Sequence, residues 1–118
     1  MNIYLAGPMR GIPEFNFPAF FTAGRKLREQ GHVVFNPAER DVQKHGFGMA
    51  LNNLTGDVEQ AAKDHGFSLR EALAADTNYI CLHADTIALL PGWENSAGAR
   101  AELALSLALG HNVMHLDV

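Results

Sequence analysis

Thr86-Ile-Ala-Leu-Leu90, the loop Pro91-Gly-Trp93-Glu-Asn95, and Ser96-Ala-Gly98-Ala-Arg-Ala-Glu102 form the stretch that decides the fold. The apolar run Thr86 to Leu90 reads as a buried strand, Pro91-Gly92 turns the chain, and Ser96 opens an Ala- and Leu-rich helix through Leu109. Ser96 suits an N-cap, and Gly98 lets a ligand approach the backbone. A helix N-terminus offers free N–H groups with a partial positive charge, so this end suits a phosphate. Glu102 follows one turn later, on the stripe Gly98, Ala99, Glu102, Leu105, Ser106, Leu109. The rest of that helix is nearly all Ala and Leu, and a carboxylate in such surroundings points to chemistry rather than solvation.

Outward from this unit the pattern repeats. Asn2 to Ala6 reads as a first buried strand ending at Gly7-Pro8, and Pro18 to Gln30 as a helix stopped by Gly31. His32 to Phe35 forms a second strand closed by Asn36-Pro37. Ser68-Leu-Arg-Glu71 is a capping box opening a helix through His83 that carries Asp76, and Asn112 to Leu116 is the last strand. The region from Asp41 to Gly66, interrupted by Gly46, Gly48, Gly56 and Gly66, reads as a connection or lid. Strands alternating with helices over short connections predict an α/β fold: a doubly wound, open, mostly parallel sheet of the Rossmann or flavodoxin-like three-layer kind. Ligands in such sheets bind beyond the carboxyl ends of the strands, which gathers Gly7 to Gly11, Asn36-Pro37 and Pro91 to Ser96 at one edge.

At 118 residues the chain is expected to be one domain, 1–118. A formal net charge of -4 argues against binding a nucleic acid polymer, so any phosphate contacted belongs to a small molecule. Cys81, the only cysteine, excludes an intramolecular disulfide framework; it reads as a small core residue and fits a reducing compartment. No secretory leader and no apolar run of membrane-spanning length is seen, so a cytoplasmic protein with no membrane partner is expected. His32, His45, His65 and His83 are scattered, while His111 and His115 would stand about 13 Å apart in a strand, too far for one ion. No metal is expected.

With these residues in place, the chain resembles the nucleoside 2-deoxyribosyltransferase superfamily, and most nearly its 2'-deoxynucleoside 5'-monophosphate N-glycosidases. Three motifs carry the likeness: Tyr4-Leu-Ala-Gly7-Pro-Met-Arg10-Gly11, Asp76, and Ser96-x-Gly98-x-x-x-Glu102. The resemblance implies Glu102 as nucleophile, Tyr4 orienting it, and Asp76 as proton donor or base-orienting group. It also implies a 5'-phosphate held by Arg10, Gly7, Ser96 and Gly98. The transferase branch usually has an aspartate at the position of Ser96, so the serine sides with the hydrolases. Pro8 stands where those hydrolases commonly have a phosphate-binding serine, which removes a hydroxyl and a backbone N–H from the cradle. The implied partner is a small deoxynucleotide, no cofactor is implied, and assembly into a homodimer or larger homo-oligomer is expected.

Breaking an N-glycosidic bond builds positive charge on the sugar and negative charge on the departing base. The site therefore needs an anion beneath C1' and a proton donor near the base. By analogy with glycosidases, Glu102 attacks the anomeric carbon to form a glycosyl ester, and water captures it; capture by a second base would be deoxyribosyl transfer. A nucleotide-binding protein without catalysis is the reading from another class. Trp93 is the candidate base-stacking wall. Read singly, Tyr4 serves equally as strand core, Ser96 as a plain N-cap, Arg10 as a partner of Glu14, Asp76 as solvated surface, and Trp93 as packing over its loop.

Overall fold

A computed structural model describes residues 1–46, 48–51 and 53–117. Strands β1 (Asn2–Ala6), β2 (Val33–Phe35), β3 (Thr86–Leu89) and β4 (Asn112–His115) form one sheet in the order β2-β1-β3-β4. Every pairing is parallel; Tyr4 stands opposite Phe35 on one side and Ile87 on the other. A parallel strand covered on both faces reads as an unbroken apolar run, and Ile3 to Ala6 and Thr86 to Leu89 are buried throughout. The chain moves from β1 outward to β2, then returns across β1 to β3. Strand order thus reverses between β1 and β3, and a crevice opens beyond their carboxyl ends.

Helices α1 (Phe17–Glu29), α2 (Pro37–His45), α3 (Gly48–Leu51), α4 (Val58–His65), α5 (Leu69–Leu82) and α6 (Ala97–Ala108) cover the sheet, with short 3-10 turns at Pro13–Asn16 and Trp93–Asn95. Ile3, Leu5, Val34, Ala88 and Leu90 bury one face with Phe17, Phe20, Ala23 and Leu27 of α1. Tyr4, Ala6, Ile87 and Leu89 bury the other with Ile80 of α5 and Ala99 of α6. These are the layers expected from the sequence.

Two expectations need correction. The segment read as a connection or lid is largely helical, being made of most of α2, α3 and α4. Asn36-Pro37, which ends β2, also starts α2: the Asn36 side chain accepts from the Ala38 N–H at 3.0 Å, and Pro37 needs no N–H partner in a first turn. Asp57 starts α4 in the same way, accepting from Glu59 N–H at 2.9 Å. Local capping, not apolar periodicity, builds these elements. Cys81 is exposed rather than a core residue, because α5 turns Ala72, Asp76 and Ile80 inward and Cys81 lies one position off that stripe.

Candidate active site

Beyond the carboxyl ends of β1 and β3 lies a cleft lined by Tyr4, Gly7, Arg10, Asp76, Ser96, Gly98 and Glu102, together with Asp41 and mainly apolar side chains. Each residue reaches it through its element. Tyr4 projects from β1 with its ring stacked on Phe35, centroids 5.7 Å apart, and Phe35 stacks in turn on Tyr79 at 4.6 Å. The ring is core and the hydroxyl reaches the cleft. That hydroxyl donates to Glu102 Oε2 at 2.7 Å, fixing the carboxylate on the inward stripe of α6.

Asp76 is buried on α5 rather than solvated, being 6% exposed, and Glu102 is equally enclosed at 6%. Burial, opposed by the Tyr4 hydrogen bond and reinforced by the charge of Asp76, pushes the Glu102 carboxyl up to about 8. Burial likewise raises Asp76 to about 6, against the opposing pull of the Arg40 guanidinium and the Tyr4 hydroxyl. Tyr4 itself is pushed well above the usual phenol range by burial and by the two carboxylates. With Glu102 raised to about 8 and Asp76 to about 6, the two carboxyls hold about one proton between them near neutrality, mainly on Glu102.

Ser96 caps α6, its Oγ accepting from the Ala99 N–H at 3.1 Å, and it also faces the cleft. Arg10 is exposed at the cleft edge and makes no ion pair with Glu14 among the described residues. Gly7 is required by close approach: a Cβ there would sit 2.7 Å from Leu90 Cβ. Pro8 is buried outside the lining, its carbonyl accepting from Asn16 Nδ2 at 3.0 Å.

Trp93 is not brought to the cleft. It packs toward His115 with ring centroids 6.0 Å apart and against the cluster around Ile87 and Ala99, because its 3-10 turn points it over β3 and β4. Besides Tyr4, the aromatic side chains in the lining are Phe15, Phe20 and Phe67, the centroids of Phe15 and Phe67 lying 6.3 Å apart. Sequence reasoning also missed Asp41, which lines the cleft at 3% exposure. The signal was there: Asn36 and Pro37 start a helix, and Pro37, Ala38 and Asp41 then share one face. Burial raises the Asp41 carboxyl to about 7 despite the charge of Arg40 beside it. Among the described residues no group of His, Cys, Asp and Glu could hold a metal ion, and no helix is long and apolar enough to cross a membrane.

A protein-family model described as Domain of unknown function (DUF4406) matches residues 1–115. No curated protein and no solved structure matches the chain.

Proposed function

The chain belongs to that family, and from its cleft we propose that the protein is an N-glycosidase that hydrolyses a 2'-deoxynucleoside 5'-monophosphate to free base and deoxyribose 5-phosphate. The observation that carries this reading is the 2.7 Å hydrogen bond from Tyr4 to the buried Glu102, in a cleft that Asp76 also lines. A carboxylate held in one rotamer inside an apolar crevice is oriented for attack at a carbon, at a stability cost that solvation elsewhere would have avoided.

Glu102, ionised, attacks C1' as the C1'–N bond breaks, and its electron pair leaves on the base nitrogen, which takes the proton of Asp76. The glycosyl ester is then cleaved by water, whose proton returns to Asp76, restoring the cleft. The attacking form carries the shared proton on Asp76, the less populated of the pair's two arrangements, because Glu102 is the more strongly raised carboxyl. Arg10, Gly7 and the capped start of α6 at Ser96 and Gly98 form the anion-binding edge proposed for the 5'-phosphate, and Phe15 and Phe67 supply the faces for the base.

Assembly of the chain is part of this reading, supported by exposed apolar residues near the open β4 edge: Leu107 at 58%, Leu109 at 45% and Val113 at 37%. Light scattering of the purified protein should give a dimer or larger species; a monomer at every concentration contradicts assembly.

The test of function is chromatographic. Incubation with 2'-deoxynucleoside 5'-monophosphates should release free base, while the matching nucleosides without phosphate should react far more slowly. An added second base should leave the products unchanged. A preference for unphosphorylated nucleoside with base exchange would instead make the protein a deoxyribosyltransferase, and no base release from any of them would refute the catalytic reading.

A further inference from the structure

We propose that Arg40, held by Asp41, is a positioning residue for Asp76: its guanidinium stands between two buried carboxylates and stabilises the anion that Asp76 becomes on losing its proton. The inference rests on the role given to Asp76 above.

Arg40 and Asp41 are consecutive on α2, and consecutive helical side chains diverge by about 100°. Arg40 nevertheless folds back so that one terminal nitrogen donates to Asp41 Oδ1 at 2.5 Å. The guanidinium is thereby drawn inward, with its side chain 18% exposed, rather than extending into solvent. Its Nε ends 3.9 Å from Asp76 Oδ1, within ion-pair range but beyond a hydrogen bond. Both atoms are buried and neither has a hydrogen-bond partner.

One cation thus serves two carboxylates unequally. Asp41 takes the hydrogen bond and Asp76 only the attraction. A carboxyl fully paired with arginine would be too strong an acid to keep a proton near neutrality, and a buried carboxyl with no cation would not release one. A partial pairing suits a group that must give a proton to the leaving base and later take one from water. The groups facing Asp76 are Arg40 and Asp41 from α2, Tyr4 from β1 and Glu102 from α6, with Lys44 acting on Asp41 from its own helix.

The experiment is a carboxyl-carbon NMR titration of the full chain labelled at aspartate, with Asp76→Asn assigning the signal. Arg40→Met should move the Asp76 midpoint upward by about one pH unit or more, and Arg40→Lys should bring it most of the way back. Asp41→Asn should move it downward, since Arg40 is released toward Asp76. Opposite shifts on removing two touching residues are not what a shared structural disturbance produces. If Arg40→Met does not fold, Arg40→Gln takes its place beside Asp41→Asn. A midpoint unmoved in the neutral Arg40 variant or in Asp41→Asn, or moved the same way in both, overturns the proposal. The titration needs no turnover, so an unmoved midpoint refutes the role of Arg40 alone, whereas absent base release refutes the glycosidase reading alone.

Discussion

Glu102 is costly where it stands. Its folded carboxyl holds a proton up to about 8, far above an unfolded glutamate, so between about pH 4 and pH 8 the folded chain binds more protons than the unfolded one. Stability from this group is therefore present at low pH and is lost as pH rises. Glu102→Gln, which removes the charge but keeps an acceptor for Tyr4, should raise the melting temperature by about 4 °C or more at pH 8 and by clearly less at pH 5. Thermal melts at the two pH values check this. On the proposed mechanism the same proton count would govern rate. The kcat/KM profile should rise through about 6 as the Asp76–Glu102 pair loses its first proton and fall through about 8 as it loses the second. Tyr4→Phe removes a hydrogen bond to a charged group, worth about 1.5 to 3 kcal/mol, so kcat should fall roughly tenfold to a hundredfold. Its upper limb should shift upward with that fall, because the Tyr4 bond is what draws Glu102 down. Glu102 could be singled out in the sequence because a carboxylate interrupts an otherwise apolar stripe. Asp76 was reached only through the family resemblance, since Ala75-Asp-Thr-Asn78 carries no local sign that α5 turns it inward.

The elements that frame the cleft were unevenly legible. β1, β3 and α6 announce themselves by unbroken apolar runs and a serine cap, because both faces of a central parallel strand are covered. The stretch from α2 to α4 does not, since its short helices are set by caps and by tertiary ties. Gly11 N–H donates to the Gly56 carbonyl at 3.0 Å, and Glu14 N–H donates to the Asn53 carbonyl at 2.9 Å, so the loop after β1 is strapped to the loop before α4. Glu14, Phe15 and Asn16 adopt left-handed backbone in succession, at φ 58, 52 and 60, which places Phe15 in the cleft wall. Gly56 is the keystone of the strap: at φ +64, a Cβ would meet the Ile12 carbonyl oxygen at 2.4 Å. Gly56→Ala should destabilise the fold by about 1–3 kcal/mol and raise KM more than it lowers kcat. Denaturant melts and steady-state kinetics read the two effects separately.

Across the whole molecule, the strand-order reversal between β1 and β3 brings together residues as distant in sequence as Tyr4 and Glu102. Alternating strands and helices were enough to anticipate this edge. They were not enough to say that Asp41 joins it, with Arg40 beside Asp76, while Trp93 turns away, because those outcomes depend on where α2 and the 3-10 turn at Trp93–Asn95 land against the sheet. With the buried carboxyls Asp41, Asp76 and Glu102 lining the cleft and an overall charge of -4, the proposed phosphate would depend disproportionately on Arg10. Arg10→Ala should weaken a deoxynucleoside 5'-monophosphate by roughly tenfold to a hundredfold while leaving the phosphate-free nucleoside nearly unchanged. Substrate-dependence curves for the paired compounds give that comparison.

Base release by Glu102→Ala, followed beside the unmodified protein at saturating deoxynucleoside 5'-monophosphate, is the most direct measurement. Loss of about a thousandfold or more in a variant that melts cooperatively is the expected result, since removing a nucleophile takes away the covalent route itself. Turnover within a few fold of the unmodified protein would contradict it, leaving the Tyr4–Glu102 pair as a feature of the core and the chemistry elsewhere.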